Sequence, residues 1–177
     1  SKKKQVQQPR EGNVHSPQRP KAPPPGFVKI HVDAGIMKGR GGSAAGVCRD
    51  SNGHFLGSSA LVIEGLADPT IVEAIACREG IALAEDLNVQ NIVIACDSKQ
   101  VVFDINKGCK GRYGAIVSKI ILNSAHFHCI FVFESRAVNV EAHHLAKFSF
   151  SRGPGRHIWF GTPHDARCIP LHVDFHE

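Results

Sequence analysis

The sequence has no apolar run approaching the ~18 residues that a membrane-spanning helix needs, so a transmembrane role is not expected. It also lacks the spacing of a disulfide framework. Cys48, Cys77, Cys96, Cys109, Cys129 and Cys168 are far apart, contain no C-x-x-C pair, and lie mostly inside apolar segments, as buried free thiols do. That pattern points to a reducing compartment. The basic, proline-rich N-terminus has no hydrophobic stretch behind it, which argues against a secretory signal. There is no internal repeat. Methionine is nearly absent, with only Met37, and the chain opens on Ser1, as a piece of a longer protein would. The net charge of +5 is missing from most of the chain. Six of the 21 basic residues and one of the 16 acidic ones, Glu11, lie in 1–25, so the remainder balances fifteen against fifteen. A basic tail can hold nucleic acid through counterion release, or it can be a solvated linker.

The chain contains enough residues, 177, for one domain with a core of its own. Residues 1–26, rich in Gln, Pro, Lys and Arg, are expected to be a disordered linker, because they cannot bury enough apolar surface to offset ordering. From Phe27, apolar Val28, Ile30 and Val32 alternate with Lys29, His31 and Asp33, the period of a strand. A second strand is expected over 44–49, a turn at Asp50-Ser51-Asn52-Gly53, and a third strand over 54–64. Asp68-Pro69-Thr70 signals a helix start, and 71–87 has helical composition weakened only by Gly80. The β-branched run 91–96 reads as a buried parallel strand. Helices over 98–106 and 113–125, a strand over 128–135 and a helix over 141–148 complete residues 27–150. Residues 151–177 form an extension behind a Gly153-Pro154-Gly155 hinge. Its Ile158, Trp159, Phe160, Ile169, Leu171, Val173 and Phe175 are expected to pack back on the domain or to meet a protein partner.

Three acids stand at informative places. Asp33 lies in or at the end of the first strand, Glu73 in the first turn of the first helix, and Asp97 at the end of the fourth strand. Carboxylates gathered from two adjacent strands and a crossing helix repel one another unless a cation joins them. Oxygen ligands suit Mg²⁺ or Mn²⁺. Each acid also has a local explanation. Thr70-x-x-Glu73 is a capping box, Asp97-x-x-Gln100 follows the same logic, and Asp33 before Ala34-Gly35 fits a turn.

The segments PPPGFVKIHVDAG, AAGVCRDSNGHFLG, EAIACREGIALA, IVIACDSKQVV and RAVNVEAHHLAK, spread in order over about 125 residues from Pro23 to Lys147, resemble the ribonuclease H-like domains of plants. These include domains related to non-LTR retrotransposon polyproteins. The resemblance implies an α/β ribonuclease H-like fold, with a five-stranded mixed sheet of three antiparallel strands then two parallel ones, flanked by helices. It implies that Asp33, Glu73 and Asp97 are catalytic metal ligands, and that the fourth acidic position falls on His143. A histidine there removes one negative charge and is a softer ligand than Mg²⁺ prefers.

The implied chemistry is hydrolysis of RNA in RNA–DNA hybrids with two Mg²⁺ or Mn²⁺ ions about 4 Å apart. Ser98, Asn106, Arg136 and Asn139 are candidates for contacting sugar or phosphate, with helix capping and turn formation as the alternatives for the polar ones. Lys107, Lys110 and Arg112 cluster near a Gly-rich turn. The alternative to an endoribonuclease is a catalytically weak module of the same fold that binds nucleic acid or a protein. A monomer inside the cell, nuclear or cytoplasmic, is expected.

Overall fold

A computed structural model describes residues 18–108 and 111–177. β1 (Val28–Met37), β2 (Gly41–Arg49) and β3 (Phe55–Glu64) form an antiparallel meander. α1 (Pro69–Asp86) crosses to β4 (Asn91–Cys96), which lies parallel to β1. α2 (Lys99–Lys107) and α3 (Gly114–Ser124) lead to β5 (His128–Phe133), parallel to β4. α4 (Val140–Ser149) continues into a single 3₁₀ turn, and β6 (Gly155–Phe160) then pairs antiparallel with β3. The sheet order is β5-β4-β1-β2-β3-β6. It has six strands, not the five expected. The missed strand, GRHIWF, does not alternate, because as an edge strand it is half-wet on both faces.

Helices cover both faces of the sheet. On one face Ile30, Val32, Ile92 and Ile94 pack with Ile81 and Leu83 of α1, and with Val117 and Ile120 of α3. Gly80 belongs to this contact. A Cβ there would lie 2.9 Å from Val32 Cγ1 and 3.2 Å from Ile94 Cδ1, so its lack of a side chain lets α1 settle on the sheet. On the other face Ala142, Leu145 and Ala146 of α4 pack with Ala45, Val47, Phe55 and Ala60. Ile169 joins this second core fully buried, so the C-terminal extension packs back on the domain.

The basic N-terminal segment departs from expectation where it is described. Its residues 1–17 lie outside the described residues. Beyond them, Ala22 N donates to His176 O and His176 N to Pro20 O, each at 2.8 Å, and Pro23 is buried. The extended backbone that proline imposes suits pairing with the extended end of the chain. That partner, more than 150 residues away, cannot be read from local composition. Among the described residues, no helix is long and apolar enough to cross a membrane.

Candidate active site

The parallel pairing of β1 with β4 ends with Val32 opposite Cys96, so Asp33, still within β1, and Asp97, just past β4, follow side by side beyond that pairing. The local explanations for the acids are met by other residues. Asp68 caps α1, accepting from Thr70 N at 3.0 Å and Ile71 N at 3.2 Å, which places Glu73 at the fifth helical residue, beyond the first turn. Ser98 caps α2 through Val101 N, leaving Asp97 one residue outside the cap. Asp33 sits inside β1, paired with Ala45, and is not in a turn.

The four site residues expected from sequence converge. His143 Nδ1 lies 2.9 Å from Asp33 Oδ2. Carboxylate oxygens of Glu73 and Asp97, with the sulfur of Cys96, all lie within 4.8 Å of one another. Asp33 is almost fully buried, and its pKa is raised by burial first and by the charge of Asp97 second, with the His143 hydrogen bond opposing. Burial, followed by the neighbouring Cys96, Asp33 and Asp97, pushes Glu73 up to about 10. Burial and mutual repulsion thus disfavour the charged forms of these carboxylates, and a divalent cation would relieve both. Oxygen donors from Asp33, Glu73 and Asp97 fit such a cation.

The polar residues around the cluster divide by their bonds. Besides capping α2, Ser98 donates its N–H to Cys96 Sγ at 3.4 Å. Asn139 is buried and donates to Val32 O at 2.9 Å, fixing the entry to α4 against β1 beside Asp33. Asn106 donates to Phe131 O on β5 at 3.3 Å. Arg136 is different. Its side chain is 84% exposed, with Nε 3.8 Å from Asp97 Oδ2, so it is a cation at the rim of the cluster. Arg112 pairs with Asp68 at 3.0 Å, Lys107 is exposed, and Lys110 lies outside the described residues.

Two features were not visible in the sequence. In the sequence Cys96 reads as one more core thiol, yet its Sγ donates to Glu73 Oε2 at 3.7 Å. The other is the anchor of α4. Arg49, buried at the end of β2, holds Glu141 with Nη2 at 2.5 Å and Nε at 3.1 Å, and also donates to Pro170 O at 2.7 Å. Glu141 is two residues before His143, so this pair ties the start of α4 to β2 and to the C-terminal extension. The partners are 92 and 121 residues apart in sequence, and no local pattern marks them.

This order of strands and helices, with one carboxylate within its first strand and one just past its fourth, defines a ribonuclease H-like fold. Residues 31–149 match the family described as reverse transcriptase-like, and the chain belongs to that family. Similar solved structures share the fold. RNase H1 from the halophilic archaeon Halobacterium salinarum superposes with a TM-score of 0.66 at 17% identity, over 72% of this chain and 99% of that one. The N-terminal RNase H domain of a Mycobacterium tuberculosis protein gives 0.63 at 22% identity, over 71% and 94%. LC11-RNase H1, isolated from compost by a metagenomic approach and solved in complex with RNA/DNA hybrid, gives 0.63 at 17% identity, over 71% and 97%. Comparison with curated proteins gave no significant match.

Proposed function

We propose that this protein is a metal-dependent endoribonuclease that cleaves the RNA strand of RNA–DNA hybrids. The observation that carries the reading is the convergence of Asp33, Glu73, Asp97 and His143 where the parallel pairing of β1 and β4 ends, in a ribonuclease H-like fold. The hybrid complex of LC11-RNase H1 supports the substrate class. Asp33, Glu73 and Asp97 hold the divalent ions, Mg²⁺ or Mn²⁺. Bound there, such ions supply Lewis-acid stabilisation of a phosphate and lower the pKa of an attacking water. His143, whose Nδ1 lies 2.9 Å from Asp33 Oδ2, would help order the ion site or the departing product. Arg136 draws the phosphate backbone toward the carboxylates. Ser98, Asn106 and Asn139, the other candidates for contacting sugar or phosphate, also fix backbone positions around the site.

A second reading is supported by His143 itself. An imidazole where an acid is expected leaves one negative charge fewer, which suits a module that binds hybrid and cuts it feebly. A labelled RNA–DNA hybrid incubated with the protein in Mg²⁺ and in Mn²⁺ separates the two. The nuclease reading expects RNA-strand cleavage that falls on the order of 10³-fold or more in Asp97→Asn. Intact hybrid binding with no cleavage under either ion would establish the binding module instead.

A further inference from the structure

The cluster contains a donor that a purely oxygen-ligated centre lacks. Cys96 is the last residue of β4 and points, like Ile92 and Ile94, toward α1. Its sulfur therefore lies under Glu73, 3.7 Å from Oε2, and within 4.8 Å of a carboxylate oxygen of Asp97. No disulfide consumes it, because Cys96 is a free thiol. Around a zinc-sized ion, with oxygen ligands at about 2.1 Å and sulfur at about 2.3 Å, tetrahedral ligand atoms sit roughly 3.5 Å apart. The Glu73–Cys96 separation is already close to that value. On the other side of the cluster His143 adds an imidazole nitrogen beside Asp33.

We infer that Glu73, Cys96 and Asp97 form a mixed sulfur–oxygen cation site that takes a borderline-soft divalent ion, of the Zn²⁺ or Co²⁺ class, in preference to Mg²⁺. The inference builds on the proposed cation centre and changes what that centre selects. Mg²⁺ gains nothing from a thiolate, whereas Zn²⁺ and Co²⁺ bind thiolate and carboxylate together. Coordination exchanges the thiol proton of Cys96, released to the buffer, for one metal–sulfur bond. A trace soft ion would thus compete with Mg²⁺ for Glu73 and Asp97.

Cobalt provides a readout independent of cleavage. Titration of the whole protein with Co²⁺ is expected to produce a sulfur-to-cobalt charge-transfer band in the near ultraviolet, saturating at one equivalent. Zn²⁺ should abolish the band, and a large excess of Mg²⁺ should leave it. Cys96→Ser should remove the band and weaken Co²⁺ binding by about tenfold or more, while Cys168→Ser should keep both. Should Cys96→Ser fail to fold by circular dichroism, Glu73→Gln, which retains the thiol, must still weaken Co²⁺ binding to a similar degree. No band, a band that survives Cys96→Ser, an unchanged Co²⁺ midpoint in Glu73→Gln, or ready displacement by Mg²⁺ would overturn the inference. Cleavage of hybrid without a cobalt band would sink this site and leave the nuclease reading standing. A cobalt band without cleavage would do the reverse.

Discussion

The two faces of β1 are built from different materials. Beneath α1, β1 and its neighbour β4 present Ile30, Val32, Ile92 and Ile94, all fully buried, in an apolar layer. Toward α4, beside the apolar Ala45 and Val47, β1 and β2 present Lys29, His31, Asp33, Ser43 and Arg49, also buried, and each bonded to a polar partner. Lys29 and His31 meet Glu134, Asp33 meets His143, Ser43 donates to Ala146 O, and Arg49 holds Glu141. Apolar packing is non-directional and gives stability by area. Hydrogen-bonded ion pairs give less net stability but fix a relative position. On β1, the face toward α4, the helix that carries His143, is the one rich in directional bonds.

That contrast can be broken from either side. The largest stability effect is expected on the apolar face. Ile94→Ala should cost about 3–4 kcal/mol in a denaturant titration, with cleavage per folded molecule unchanged. Loss of hydrolysis in the folded fraction would show that the apolar layer also sets the site.

Acid should act on the polar face. Burial alone would raise the pKa of Glu134, but the hydrogen bonds and charges of His31 and Lys29 outweigh it and hold the group at about 2. The folded value is below the ordinary 4.5, so the contribution is complete above about pH 4.5 and is lost as pH falls toward 2. It amounts to about 3 kcal/mol at most, and Glu134→Gln should flatten this part of the stability–pH curve. An equally steep curve in the variant would assign acid sensitivity elsewhere.

A smaller change in stability but a sharper one in position is expected for Glu141→Gln. It should cost about 2 kcal/mol while lowering cleavage in the folded protein, because the start of α4 loses its ionic tie to Arg49. Unchanged cleavage would mean that Asn139 and Asp33 alone are enough to place His143.

Much of the sheet and its helices could be read along the chain, because each element announces itself locally. Asp68 does begin α1, and the β-branched run 91–96 coincides with β4. β6 escaped because an edge strand wet on both faces has no alternation. The convergence of the acids was a different matter. Thr70-x-x-Glu73 and Asp97-x-x-Gln100 are sound capping patterns, and only the three-dimensional presence of Asp68 and Ser98 as the actual caps releases Glu73 and Asp97. The resemblance to ribonuclease H-like domains implies these acids, and the fold brings them together. It was silent on Cys96 and on Arg49, whose partners come from distant parts of the chain.

The side-chain amide of Asn106 has a meaning beyond the site that it flanks. His128 N donates to Gln90 O and Glu134 N to Cys96 O, so the even-numbered residues of β5 turn their peptide groups toward β4. The odd-numbered ones therefore face outward along an apolar rim, and the middle carbonyl of that rim, on Phe131, is the group that Asn106 occupies. A foreign strand sliding along β5 would find its central docking point already taken. One amide thus acts as a stopper against templated growth of the sheet from molecule to molecule.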